Sequence, residues 1–240
     1  WDVLYSYLKR KGVSDETMLQ ADLVFRRKSG EGCVDKFRNR VMFPVKGIDG
    51  KIIGFTARAL GDEEPKYLHT KENPVFIKRI NLYGLYESKI EIKNKGAVLV
   101  EGPTDCINAS QNKIKNVIAP LGTALTEDQL KILQRYTSEI TFCFDRDTAG
   151  AAATYRAISL AEKQNFNIKV AILPENFKDL DDLLQKDASK AKQILKDAVS
   201  PYDFFMADNL SKHNKETAHG KKRIIENLTP LYSKITNKVV

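Results

Sequence analysis

Three short apolar runs in this sequence end abruptly in carboxylates. Val98-Leu-Val leads into Glu101-Gly-Pro-Thr-Asp105, Ile140-Thr-Phe-Cys-Phe into Asp145-Arg-Asp147, and Val170-Ala-Ile-Leu173 is followed by Lys178-Asp179-Leu-Asp181-Asp182. In an open α/β sheet the carboxyl ends of the strands open on one edge, where ligands bind, so the pattern brings three acidic groups to one place. Carboxylates crowded in this way repel one another and call for a hard divalent cation, Mg²⁺ or Mn²⁺. Such a cation takes oxygen ligands, keeps several waters and bridges substrate phosphates. Asp145 and Asp147, two apart on an extended chain, project to the same side, which is ligand geometry. For any one cluster a merely solvated acidic edge, or Asp147 capping the helix that follows, is the plainer reading. Three clusters in phase speak against it.

The elements that must position these groups alternate strictly from Gly96 onward. Strands are predicted at 97–100, 116–120, 139–144 and 169–173, with helices starting near Thr104, Thr126 and Thr148. Thr126 and Gln129 have the spacing of a capping box. Short apolar strands separated by helices imply a parallel sheet with helices on its faces. Ahead of this region, residues 1–11 and 14–20 have helical spacing, with Ser14 as N-cap. Residues 37–45 and 51–58 read as strands joined by the turn Gly47-Ile-Asp-Gly50. Past Leu183 the strand signals stop, and amphipathic helices follow, interrupted at Pro201 and Pro230 with a polar stretch over 211–220 between them. The fold class expected is α/β: a basic mixed α/β N-terminal subdomain (1–93), a central domain with a mainly parallel sheet flanked by helices (94–184), and a C-terminal helical subdomain (185–240).

Composition narrows the function classes. With 240 residues and 42% hydrophobic content, the chain can bury about 70–75% of its unfolded surface, enough for one large or two to three small cores. Cys33, Cys106 and Cys143 are far apart and form no CxxC pair, so buried free thiols are expected, with no disulfide framework and no zinc site. His69, His213 and His219 have no ligand-spaced neighbours and read as packed or solvated rings. No apolar run nears the ~20 residues that span a bilayer, and no signal-like start is present, so a soluble, cytoplasmic protein without membrane contact is expected. The chain begins at Trp1 without Met and reads as a piece of a longer protein. Its net charge of +8 is unevenly placed: 19 Lys and Arg against 13 Asp and Glu over 1–95, 9 against 12 over 96–184, and 11 against 6 over 185–240. A polyanion would be drawn to the basic flanks by counterion release, and its reactive phosphate met at the acidic centre only through metal. The run Lys221-Lys222-Arg223 reads as a solvated helix face.

Glu101-Gly-Pro-Thr-Asp105, followed some forty residues on by Asp145-Arg-Asp147 at a strand end, resembles the TOPRIM signature shared by DnaG-type primases, type IA and type II topoisomerases and some nucleases. The resemblance to bacterial DnaG-type primase runs through almost the whole chain. It includes Asp35-Lys-Phe-Arg-Asn-Arg40-Val-Met-Phe-Pro44, Gly54-Phe-Thr-Ala-Arg58, Pro65-Lys66-Tyr-Leu68, Phe76-Ile-Lys78, Leu82-Tyr-Gly-Leu85, Leu121-Gly-Thr-Ala-Leu-Thr126 and Ala149-Gly150. The resemblance implies the catalytic, RNA polymerase core of such a primase. It would join ribonucleotides into short RNA primers on single-stranded DNA.

Carried to matching positions, the resemblance implies that Glu101, Asp145 and Asp147 are catalytic. With Asp179 and Asp181 they would hold Mg²⁺ or Mn²⁺, more than one ion, as in two-metal phosphoryl transfer. Glu101 is open between ligand and general base. Arg58, Lys66, Lys78 and Asn81 are implied to handle the ribonucleoside triphosphate, where Arg can clamp oxygens in a bidentate fork. Arg38 and Arg40, two apart on a predicted strand, would track the template backbone. Tyr67 and Tyr83 are open between core packing and base stacking. The implied partners are the DNA template, ribonucleoside triphosphates and the RNA primer, and in the full-length protein the replicative helicase and single-strand-binding protein at the fork. A zinc-binding module and a helicase-docking domain are not recognised in the sequence, so weak, poorly sited synthesis is expected. Three positions depart from the family pattern: Pro103 where an aromatic is frequent, Arg146 for the Gly between the aspartates, and Leu180 for the Pro between Asp179 and Asp181. Other readings remain. A topoisomerase would need a nucleophilic tyrosine that no Tyr here supplies in a recognisable setting. A TOPRIM nuclease needs only the metals, and a metal-independent single-strand-binding module would not need the acidic set.

Overall fold

The computed structural model describes residues 1–28, 30–145 and 148–232, without the side chains of 148–153, 230 and 231. Helix α1 (Val3–Arg10) and helix α2 (Asp15–Gln20) open the chain. The Ser14 hydroxyl accepts the Thr17 N–H at 3.1 Å, as its N-cap position requires. Strands β1 (Val24–Arg26) and β2 (Cys33–Asp35) form an antiparallel pair over a small core of Met18, Val24 and Cys33. Asp35 ends this pair, and its two carboxylate oxygens accept the N–H groups of Leu4 and Tyr5, both at 2.9 Å. Those are two of the donors that a helix start leaves without intrahelical partners, so β2 anchors α1.

A three-stranded antiparallel sheet follows, ordered β3 (Arg40–Lys46), β4 (Ile52–Ala59), β5 (Tyr67–His69). After a 3₁₀ turn, Lys78–Ile80, and helix α3 (Leu85–Lys95), the chain enters the alternating region. This comprises β6 (Ala97–Leu99), α4 (Pro103–Gln111), β7 (Val117–Ile118), α5 (Glu127–Leu133), β8 (Glu139–Phe142), α6 (Thr148–Lys163) and β9 (Asn167–Val170). Its four strands are all parallel, in the order β7-β6-β8-β9. Both faces are covered, as parallel sheets require. Leu99, Ile118, Ile140 and Phe142 pack on one side with Leu130 and Ile158, while Val98, Val100 and Val117 pack on the other with Cys106, Leu180 and Leu183. Helices α7 (Leu180–Lys186), α8 (Ala188–Lys196), α9 (Pro201–Lys212) and α10 (Ala218–Tyr232) complete the described chain.

Several sequence expectations need correction. The strand read over 37–45 starts at Arg40, so Arg38 lies ahead of it, and Asn39 between the two arginines is left-handed at φ 50°. The last strand starts at Asn167 and ends at Val170, not at 169 and 173, because Val170 also pairs with Val199 and Pro174 follows shortly after. Pro230 does not interrupt the last helix, which continues to Tyr232. A proline lacks one N–H and crowds the carbonyl four residues back, but the turn beyond it is held from outside. The Tyr232 hydroxyl donates to the Tyr202 carbonyl at 3.2 Å and the two rings lie 5.4 Å apart. All three cysteines are buried and free. Among the described residues no helix is long and apolar enough to cross a membrane.

One buried ion pair fastens the N-terminal elements together. The Lys36 side chain is 1% exposed; its ammonium donates to the Asp22 carboxylate and, at 2.8 Å, to the His69 carbonyl. Asp22 also accepts the Lys71 N–H at 2.6 Å. Removing one partner of a buried pair leaves the other charge uncompensated. Lys36→Met is therefore expected to cost about 3–5 kcal/mol of unfolding free energy, measurable as a lowered urea midpoint with an unchanged slope.

Candidate active site

The carboxylates meet at the carboxyl edge of the parallel sheet. Glu101 stands just past β6 and Asp145 just past β8, adjacent strands, and the Asp145 N–H donates to Glu101 Oε1 at 3.1 Å. Pro103 occupies the first turn of α4, where its missing N–H is harmless. That turn presents Asp105, 5% exposed. Asp105 accepts the Gly102 N–H at 3.1 Å with one oxygen and the Asp181 N–H at 2.9 Å with the other, so it ties the start of α4 to the start of α7. Asp179 is the N-cap of α7, its Oδ1 accepting the Asp182 N–H at 2.7 Å. Asp181 Oδ1 accepts from the Asn108 side chain at 2.7 Å. Glu101, Asp145, Asp179 and Asp181 are thus gathered at one edge. Asp147 lies outside the described residues.

The electrostatics of this edge follow from crowding. Burial, then the charges of Glu101, Asp105 and Asp179, push the Asp145 carboxyl up to about 7, with Lys178 opposing. Burial also raises Asp105 to about 7, with the Asp179 and Asp181 charges adding to it and the two N–H donors pulling the other way. Among the described residues no three His, Cys, Asp or Glu side chains converge as metal ligands. The donor set is all hard oxygen and electrically strained. It fits a cation that binds through one or two carboxylates and completes its shell with water and phosphate oxygens.

The antiparallel sheet faces this edge. Cross-strand pairing places Val41, Arg58 and Tyr67 in one row and Phe43, Thr56 and His69 in the next, on the same face. The Arg58 guanidinium lies 6.0 Å from the Tyr67 ring centre, and the Tyr67 and Thr104 hydroxyls are hydrogen-bonded at 3.2 Å, which sets Arg58 against the Glu101–Asp105 segment. His69 packs against Gly122, whose backbone is left-handed at φ +67°; a Cβ there would come within 2.5 Å of His69 Nε2. The Nδ1 of His69 is buried without a hydrogen-bond partner. Burial and the nearby Lys78 and Lys36 charges push the imidazole down to about 4. Lys78 therefore stands over the same seam. Asn81 turns inward instead, its side-chain nitrogen donating to the Ile77 carbonyl at 2.8 Å. Arg40, next to Val41 in β3, is on the opposite face, and its guanidinium donates to the carbonyl of Lys66, just ahead of β5, at 3.4 Å. A cleft of about 720 Å³ opens next to Glu101, walled by Gly122, Ala124, Leu125, Phe144 and Leu160.

On that opposite face a second groove, of about 750 Å³, is lined by Trp1, Phe25, Phe37, Arg38, Arg40 and Pro65 among others. Arg38 lies 4.6 Å from the Trp1 ring centre and donates to the Asp35 carbonyl at 2.6 Å, while Arg40 donates to the Pro65 carbonyl at 2.7 Å. Trp1 is 81% exposed. An exposed indole beside fixed guanidinium groups is the combination that stacks bases and follows a phosphate backbone.

The sequence matches the family described as DNA primase catalytic core, N-terminal domain, over residues 1–89, and the family described as Toprim-like over residues 98–184. A crystal structure of a DNA primase domain from Pseudomonas aeruginosa superimposes with a TM-score of 0.79 at 35% identity, covering 95% of this chain and 74% of that one. The chain belongs to the DnaG-type DNA primase family. A structure of a DnaG primase catalytic domain bound to single-stranded DNA is 31% identical, with a TM-score of 0.80 over 99% of this chain and 78% of that one. The DNA primase of Clostridium acetobutylicum is 39% identical over 242 residues, 96% of this chain; the chain spans 40% of that relative's length. Toprim primases as a family use divalent metal ions.

Against this primase frame, sequence reasoning missed three contributors. Asp105 was visible inside the acidic motif, but its bridging of α4 and α7 depends on a partner 76 residues away. Trp1 carried no signal beyond being the one tryptophan. Thr104 meets Tyr67 only through the packing of the two sheets. For Asp105 and Asp145 the folded carboxyls hold protons at a pH where the unfolded ones have lost them. Metal-free stability is then expected to fall as pH rises from about 4 to about 7 and to level off above. Thermal melts in a chelating buffer across that range check this, and Asp145→Asn should flatten part of the slope.

Proposed function

We propose that this chain is the catalytic core of a primase that synthesises short RNA primers on single-stranded DNA by metal-dependent nucleotidyl transfer. The observation that carries the reading is the Glu101–Asp145 juncture, two carboxylates on adjacent strand ends facing a cationic sheet, with Asp145 raised toward neutrality by burial and then by the Glu101 charge. Three parts divide the work: residues 1–93 hold template and nucleotide, 94–184 form the catalytic TOPRIM unit, and 185–240 form a helical subdomain.

Glu101, Asp145 and Asp147, with Asp179 and Asp181, would hold Mg²⁺ or Mn²⁺. When bound, the metal lowers the pKa of the primer 3′-hydroxyl and offsets charge on the departing pyrophosphate. The protein's own groups do the placing. Backbone N–H groups fix the carboxylate oxygens before any ligand arrives, so little reorganisation remains at the moment of reaction. Arg58 and Lys78, approaching from the antiparallel sheet and the 3₁₀ turn, neutralise the triphosphate and aim it at the acidic edge. Lys66 and Asn81 belong to the same nucleotide-handling set and act from its margins, Asn81 by shaping the turn that carries Lys78. Phe144 and Leu125 give the cleft beside Glu101 an apolar wall. Arg38 and Arg40, with Trp1 as stacking platform, lead the template strand along the second groove. Replicative helicase and single-strand-binding protein are the partners proposed for the full-length protein, at the replication fork in the bacterial cytoplasm.

RNA synthesis from labelled ribonucleotides on a single-stranded DNA template, with Mg²⁺ or Mn²⁺, tests the reading. Template-dependent RNA is expected, reduced at least about a hundredfold by Glu101→Gln and by Asp145→Ala, the scale of losing a group that stabilises the transition state. Cleavage of the template in place of synthesis would assign the site to a TOPRIM nuclease. In a separate measurement, Trp1→Ala is expected to weaken single-stranded DNA binding by about 1–3 kcal/mol, the worth of one base stacked on an aromatic. Unchanged anisotropy of a labelled oligonucleotide in titration would remove the indole from the template path.

A further inference from the structure

The capping box at the start of α5 does more than start a helix. Gln129 is fully buried. Its Oε1 accepts the Thr126 N–H at 3.0 Å, which is the helix-capping half of its role. Its Nε2 makes two further bonds, donating to the Lys78 carbonyl at 3.0 Å and the Asn81 carbonyl at 2.9 Å. The Thr126 hydroxyl accepts the Gln129 N–H at 3.1 Å and donates to the Arg79 carbonyl at 2.6 Å. Asp128, in the same turn of helix, pairs with the Arg79 guanidinium. Carbonyls on both sides of the Lys78–Ile80 turn are therefore held by side chains from the first turn of α5. A capping box needs only an acceptor at this position, which glutamate supplies as well as glutamine. The extra amide donors have no capping use.

We infer that Gln129, with Thr126, is a positioning residue that fixes the Lys78 ammonium relative to the acidic edge. The loop just ahead of Thr126, residues 121–125, forms a wall of the cleft beside Glu101 and carries the Gly122 seam against His69. Lys78 lies close enough to that imidazole to depress its pKa. Binding the Lys78 backbone to the helix that this loop enters ties the root of the cation to the wall of the cleft beside Glu101. The inference rests on the assignment of Lys78 to the triphosphate.

The separating variant is Gln129→Glu. It keeps the acceptor for the Thr126 N–H, so α5 remains capped, but sets a carboxylate oxygen against two carbonyls in place of an N–H donor. The measurement is the dissociation constant for ATP with Mg²⁺ by calorimetric titration, which needs no turnover, alongside urea denaturation to confirm folding. Lys78→Ala is expected to raise the constant about tenfold, the loss of one charge-assisted contact. Gln129→Glu should raise it by a similar factor, and the double variant no further than Lys78→Ala alone, since both remove one interaction. If Gln129→Glu does not fold, Thr126→Val, which loses the bridge to Arg79 together with the cap on the Gln129 N–H, takes its place; once urea denaturation shows it folded it should weaken ATP binding, while Thr126→Ser, which keeps both hydroxyl bonds, restores it. A folded Gln129→Glu, or failing that a folded Thr126→Val, with wild-type ATP affinity, while Lys78→Ala weakens binding, overturns the inference and leaves the Lys78 assignment standing. Unchanged affinity in Lys78→Ala itself overturns the assignment and the inference with it.

Discussion

Everything at the acidic edge depends on carboxylates being held together against their own repulsion. Four backbone N–H groups do this. Asp145 donates to Glu101, Gly102 and Asp181 both donate to Asp105, and Asp182 donates to Asp179. Each donor lies at a strand end or in a helix's first turn, where backbone N–H groups are free to serve a side chain. The result is a set of cross-links that run between elements: β6 to β8 through Glu101, α4 to α7 through Asp105. The repulsion that remains appears as the raised carboxyls of Asp105 and Asp145, and a cation or a proton is what relieves it.

The second layer of the design concerns how a cationic sheet is brought to face that edge without collapsing onto it. Contacts across the divide include Tyr67 to Thr104, His69 against Gly122, the apolar cluster of Val45, Phe76 and Leu121, and the Lys78–Ile80 turn bound to the head of α5. None of these joins a basic group directly to the acidic cluster. Arg58 lies against a tyrosine ring and Lys78 is held by its backbone, the placement on which their proposed role toward the triphosphate rests. The buried Lys36–Asp22 pair belongs to this arrangement. By donating to the His69 carbonyl, Lys36 ties the β1–β2 elements to the strand that carries Tyr67 and His69.

The alternating region was legible because short apolar strands between helices leave few other solutions, and because carboxylates at strand ends are conspicuous. Ser14, Thr126 and Gln129 were readable as caps for the same reason: their roles are local. The three-residue strands β1, β2 and β5 carry too little periodicity to be recognised without their partners. The roles of Trp1, of Asp105 as a bridge and of Gln129 as a clamp are set by residues 25 or more positions away, which spacing cannot reveal. Pro230 misled because the helix end it was expected to break is supported by Tyr202. Arg58 in β4 and Lys66 just ahead of β5 are eight apart in sequence, and spacing alone gave no sign that the Lys66 carbonyl lies against Arg40.

The seam at Gly122 carries one more consequence. With no side chain at that position, the spacing between the two halves there is the thickness of an imidazole against a peptide plane. That spacer is also electrically silent, because His69, pushed down to about 4, carries no charge near neutrality. The molecule is thus divided by its response to protons. Without metal, Asp105 and Asp145 are pushed up to about 7 while the joint beside the cleft stays neutral there, so proton uptake at the metal-free edge leaves the charge of the seam unchanged.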